Sequence, residues 1–215
     1  MLIGLVLLIV GFLLSLSVHE AAHAYVSDRL GDPTARLSNR VTLNPLAHLD
    51  PIGTLLPIFL IITGSPIIFG WGKPVPFDPF NLRNPRRDTA LISLSGPLAN
   101  LAMATFLSIS IRLFHSFSTQ IGLNLEYLLT PIIALNIMWA IFNLIPVHPL
   151  DGGKVLIGLL PKESAYKVDE VLNRFGYILI LFLLLPIFGR SPLMIIASPV
   201  INFFLSILLP ATPLV

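Results

Sequence analysis

Between Leu2 and Tyr25 an otherwise apolar run carries a single charged side chain, Glu20. A run of that length matches the about 20 residues an α-helix needs to cross a bilayer. Lipid offers a backbone no partners but its own, so such a segment has to be helical. Further apolar runs at Ala90–Leu113, Pro131–Val147, Phe175–Phe188 and Leu193–Leu209 extend the same constraint along the chain. Charged residues make up 11% of the 215 positions, against about 25% in a soluble domain, which argues against a water-soluble fold. An all-α polytopic membrane protein is expected.

Met1–Val18 lacks both the basic start and the cleavage site of a signal peptide and runs straight into His19, so this first segment is expected to stay in the protein. With no cysteine, any metal has to be held by nitrogen and oxygen. A formal charge of +2 is too small to suggest nucleic acid as a partner, and the basic residues sit in short loops where they set membrane orientation. Without repeats or low-complexity tracts, residues 1–215 read as one membrane-embedded domain, with a core at 2–153 and additional C-terminal helices at 175–210.

His19 and His23 stand one helical turn apart, so both imidazoles reach one metal ion. Glu20 lies beside them, placed to take a proton from water rather than to bind the metal. The pattern His-Glu-x-x-His is short and arises by chance in soluble helices. Burial gives it weight, because an ionisable group within an apolar helix costs on the order of 2.5–3.5 kcal/mol. The structural alternative is a glutamate hydrogen-bonded to a neighbouring helix.

A catalytic zinc site takes three protein ligands and keeps a position open. The best third candidate is Asp151, in Asn143-Leu-Ile-Pro-Val-His-Pro-Leu-Asp-Gly-Gly, where prolines and glycines must break the helix. Broken backbone at membrane depth is tolerated only when buried in protein or lining a wet cavity. An ordinary Asp-Gly turn is the competing reading.

Taken together, His19-Glu-Ala-Ala-His23, Ser95-Gly-Pro-Leu-Ala-Asn100 and Asn143 through Gly152 resemble the site-2 protease family of intramembrane metalloproteases, over roughly Leu2 to Gly153. The resemblance implies one zinc ion per chain bound by His19, His23 and Asp151, Glu20 as general base, and Asn143 bonded to the substrate backbone. It implies a three-helix catalytic core with a membrane-associated β-hairpin near Phe69–Pro79 that aligns an unwound substrate strand. On the residues alone an irregular loop serves that stretch equally well. The chain looks like a compact form without a PDZ or CBS domain, acting on transmembrane protein substrates in the lipid bilayer.

Topology tests the metal site independently. If the apolar but broken stretch Pro51–Phe69 crossed the membrane, His23 and Asp151 would lie on opposite sides. If it is re-entrant or interfacial, two crossings intervene and both lie on one side. The lysines and arginines then divide eleven inside to two outside, Arg112 and Arg190, against eight to five for a full crossing. The expected arrangement is therefore a core of three helices with a re-entrant segment, two C-terminal transmembrane helices, and an active site towards the cytoplasmic side of the plasma membrane.

Three more residues are weighed as groups orienting the ligands from behind. His48 reads as site-lining or oxyanion-stabilising, with a loop role favoured. His148 orients Asp151 or is merely wetted by the same cavity. Gly96 and Asn100 read as a close helix contact plus an interhelical hydrogen bond, with a substrate role second. His115 is taken as interfacial. The expected reaction is hydrolysis of a peptide bond within or near a transmembrane segment. A metal-ion transporter or channel using the same ligands is the rival from another class, and an inactive binding scaffold a third.

Overall fold

A computed structural model describes residues 2–64, 70–186 and 191–209. Eight α-helices form within them: α1 (Leu2–Arg29), α2 (Thr34–Leu37), α3 (Pro51–Ile62), α4 (Pro85–Phe117), α5 (Thr119–Asn143), α6 (Asp151–Leu159), α7 (Lys162–Leu184) and α8 (Pro192–Leu208). Three of them, α1 from Ile9, α4 and α5, are long and apolar enough to cross a membrane.

α1 runs to Arg29, past the end of its apolar run, and stops at Gly31, whose φ of 111° suits glycine. α5 starts at Thr119, twelve residues before the expected Pro131, so that Ser118 alone separates it from α4. A proline inside a helix forfeits one backbone bond, which the surrounding membrane helices make tolerable; Pro131 therefore sits within α5 instead of opening it.

α4 is the central element. Ser15, His19 and His23 of α1 meet Asn100, Gly96 and Ile92 of α4 in turn, so these helices are antiparallel. α5 runs back beside both, with Gly11 against Ile132 and Leu135 and the Phe12 ring edge-on to Trp139 at 5.4 Å. Further along, Ala104 and Ile111 of α4, Ile133 and Ile137 of α5, and Ile201 and Leu205 of α8 close an apolar core.

The residues flanking the stretch expected to re-enter lie close together. α3 has 12 residues, a rise of about 18 Å where a hydrocarbon core spans about 30 Å. The Trp71 N–H donates to Gly53 O at 3.3 Å, and Leu49 and Gly72 form an antiparallel bridge, so the chain leaves and comes back at the same end of the bundle. Residues 65–69, the last part of that stretch, lie outside the described residues. Two of the helices long and apolar enough to cross a membrane, α4 and α5, thus lie between His23 and Asp151.

The β-hairpin does not form among the described residues. Gly70–Asp78 is an extended segment whose single bridge is the one at Gly72. Pro74 and Pro76 have no N–H to give a ladder. The C-terminal region departs from expectation as well. The first half of α7 is charged, and its apolar part, Phe175–Leu184, is about 15 Å long. Gly176 lies against His148, and Ile180 and Leu184 pack in one cluster with Val147 and Phe142, so α7 ends near the level where α5 ends, and it is not among the described helices long and apolar enough to cross a membrane. α8 alone runs toward the opposite end, where Arg112 Nη2 donates to the carbonyl of Ile207 at 2.7 Å and Ser108 Oγ to that of Leu208. Residues 187–190, including Arg190, lie outside the described residues.

Candidate metal centre

Three donor atoms converge where α1, α4 and the start of α6 meet. His19 Nε2 and His23 Nε2 are 3.0 Å apart, and each lies 3.1 Å from Asp151 Oδ2. All three side chains are nearly enclosed. Tetrahedral zinc with bonds of about 2.0–2.1 Å sets its ligands about 3.3 Å apart, close to the edges of this triangle.

The tautomers follow from what holds the rings. Asn136 gives its amide to Ile132 O (2.9 Å), which turns its oxygen toward Asn100. Asn100 donates to that oxygen and to Ser15 O, both at 2.9 Å. Its own Oδ1 must then accept from His19 Nδ1, at 2.7 Å. His23 Nδ1 donates to Ile92 O at 2.7 Å. Each ring thus carries its proton on Nδ1 and aims a lone pair from Nε2 at the carboxylate. Three electron-rich atoms at such separations repel unless a cation sits among them, so the donor set fits a divalent metal ion.

Backbone shape makes this approach feasible. A Cβ at Gly96 would come within 2.5–2.7 Å of the His23 and His19 rings, so only glycine lets α4 lie beneath both. Asp151 opens α6, where the helix dipole favours a carboxylate. Gly152 packs on the carbonyls of Leu144 and Ile145, and Gly153 on His148, folding the break tightly back.

Glu20 is not part of the triangle; its Oε2 accepts from the Val75 N–H at 3.2 Å. The other expected residues are placed as follows. Asn143 ends α5 and donates to Trp139 O of its own helix at 3.0 Å, leaving its carbonyl oxygen uncommitted to that bond. His48 is fully buried but turned into its own loop, 2.8 Å from Thr42 O and 3.4 Å from Arg40, so it lines no part of the metal triangle. His148 pairs with Asp169 of α7 at 3.0 Å rather than with Asp151, because the turn before α6 carries it to the far side. Asn100 lies directly behind His19. His115 pairs with Glu126 at the opposite end of the bundle.

The sequence reading missed Asn136, Asp32 and Arg40. Asn136 had a usable signal, a polar side chain within an apolar helix. Asp32, hidden in a Gly-Asp-Pro turn, accepts from Ser27, Thr34, Asn81 and the Asp78 N–H, joining the end of α1 to the extended segment. Burial pushes its carboxyl up, but the bonds from Thr34, Asn81 and Asp78 win and lower it to about 2.

In sequence, the chain is similar to known proteins. The pattern of peptidase family M50 matches residues 110–183. YwhC of Bacillus subtilis, which bears the name of a zinc metalloprotease, is 34% identical over 180 residues, covering 82% of this chain and 78% of YwhC. The chain belongs to peptidase family M50. It is an integral membrane member of the site-2 protease group within that family. Rip2 of Mycolicibacterium smegmatis, also named for a zinc metalloprotease, is 29% identical to this M50 chain over 184 residues, 84% of it and 67% of Rip2. A zinc metalloprotease of Methanocaldococcus jannaschii is 33% identical over 102 residues, 47% of this chain and 29% of the relative. No solved structure matches the chain.

Proposed function

We propose that the protein is a zinc metalloendopeptidase that cuts peptide bonds within or near transmembrane segments of membrane proteins. The observation that carries this is the triangle of His19, His23 and Asp151 donors, 3.0–3.1 Å on a side, with Glu20 one residue from the first ligand. Zinc in such a site supplies Lewis-acid chemistry, polarising a carbonyl and making water nucleophilic at a pH near 7.

The chain's own residues supply the rest. Glu20 takes the proton of the attacking water on its carboxylate and passes it to the leaving amine. Asn143, at the mouth of the broken turn, offers its carbonyl oxygen to the substrate backbone. The extended segment Gly70–Asp78 runs past Glu20 and pairs with a substrate strand by backbone hydrogen bonds. A substrate helix hides its carbonyls in its own bonds, so it has to unwind first, and substrates carry helix-weakening residues near the cut. We place the catalytic end at the cytoplasmic face of the plasma membrane, because among the described residues that end holds every lysine and arginine except Arg112. Residues 1–215 act as one domain.

The test is incubation of purified protein in lipid with a labelled transmembrane peptide, comparing wild type with Glu20→Gln and with chelator. Cleavage that needs both Glu20 and metal is expected. Cleavage indifferent to either overturns the mechanism, and metal uptake into sealed vesicles without cleavage establishes a transporter instead.

A further inference from the structure

Arg40 is 5% exposed, an unusual position for a guanidinium outside the metal site. Its Nη1 donates to Pro74 O at 3.2 Å and its Nη2 to Lys73 O at 2.5 Å. The next residue along is Val75, whose N–H holds Glu20. The same short stretch is gripped from behind by the Lys73 N–H bonded to His48 O at 2.8 Å. Burial draws the Arg40 pKa down, and the Glu20 carboxylate works against this, which places the two charges within each other's field.

Pro74 and Pro76 on either side of Val75 cannot donate, so the Val75 N–H is the one donor that Pro74-Val75-Pro76 can offer. Where that N–H points depends on how the two preceding peptide planes are held, and Arg40 holds both carbonyls. A planar fork with fixed donor spacing suits that task; a single ammonium does not. We propose that Arg40 is a positioning residue, acting through Lys73 and Pro74 to aim the Val75 N–H at Glu20 and so fix the base beside the metal ligands. This rests on the protease reading of Glu20. It gives His48 a task too, as a brace for Arg40 rather than a group in the site.

The test uses the full chain in lipid, with Arg40→Gln, Arg40→Lys, Val75→Pro and the Arg40→Gln/Val75→Pro double variant. Val75→Pro deletes the donor without touching Arg40. Each single loss is expected to lower kcat by about 10- to 100-fold with KM changed far less, since displacing a catalytic group by about 1 Å has effects of that size. Arg40→Lys recovers part of the Arg40→Gln loss, and zinc content stays at the wild-type level throughout. The double variant is no worse than the worse single, because both act along one path.

Multiplying losses in the double variant, or full kcat in Val75→Pro, overturns the proposal; Val75→Pro decides the matter even if Arg40→Gln does not fold. If wild type itself cleaves nothing, the protease reading has failed separately. Hydrogen exchange at the Val75 amide then judges the positioning claim: it must speed up in Arg40→Gln, and an unchanged rate refutes it.

Discussion

Two stretches of α4, about three turns apart, are built on opposite plans. From Ile92 to Asn100 the helix is small and polar, and it accepts the imidazoles of α1 through Gly96, a backbone carbonyl and one amide. From Ala104 to Ile111 its inward face packs Ala104 and Ile111 against Ile133, Ile137 and α8, and the one buried hydroxyl there, Ser108, bonds to the Leu208 carbonyl. Lipid is as apolar as the second stretch, so burial there yields packing but little drive. Every polar group of the first stretch, in contrast, has to find a partner inside the protein. On the proposed mechanism, substitutions in the first stretch change chemistry and those in the second change only stability.

The largest effect should come from Glu20→Gln, which keeps shape and removes the base: kcat falls by about 10²–10⁴-fold while bound zinc, measured by elemental analysis, stays at one per chain. Loss of zinc along with activity would mean that Glu20 is a ligand. Next is the metal face of α4. Asn100→Ala frees His19 Nδ1 and should weaken zinc binding by about 10- to 100-fold in a competition titration with a chromophoric chelator. Gly96→Ala drives a methyl into both rings and should do at least as much harm; unaltered affinity in both variants would dissolve the contrast between the two stretches.

Smaller is the effect of acid on the joint at Asp32. Its folded pKa, about 2, lies below the roughly 3.9 of an unfolded aspartate, so its contribution is present above that value and disappears as pH falls through about 2. The loss is on the order of 2 kcal/mol. Unfolding midpoints of wild type should drop across that window, and Asp32→Asn, destabilised throughout, should show a flatter pH dependence. Smallest is Ile137→Val on α5, opposite the Ala104–Ile111 stretch, with a stability change of about 1 kcal/mol and no change in zinc content. A shift in metal affinity there would show that the two stretches are coupled.

How much of this was legible in the sequence follows the same division. His19, Glu20 and His23 announce themselves because a membrane helix rarely carries ionisable groups, and Asp151 because its prolines and glycines break a helix. The metal site and the charge distribution called for both ends of the segment after α2 to lie on one side, and the Gly53–Trp71 contact fits that expectation. Asp32 and Arg40 stayed hidden because a charged residue in a polar loop looks solvated until its partners, 33 to 49 positions away, are folded around it. The expected span at Phe175–Phe188 is not confirmed, for a related reason. The apolar half of α7 has the composition of a membrane span, but only the folded structure shows it packed on the turn before α6.

X-ray absorption at the zinc edge, on wild-type protein purified in lipid, tests the metal centre most directly. Two imidazole nitrogens and carboxylate or water oxygen at about 2.0–2.2 Å, with no sulfur, are predicted. The imidazole signal should halve in His23→Ala, and the oxygen shell should change in Asp151→Asn. A protein that retains no zinc, or a spectrum indifferent to both substitutions, would contradict the assignment of His19, His23 and Asp151 to one ion.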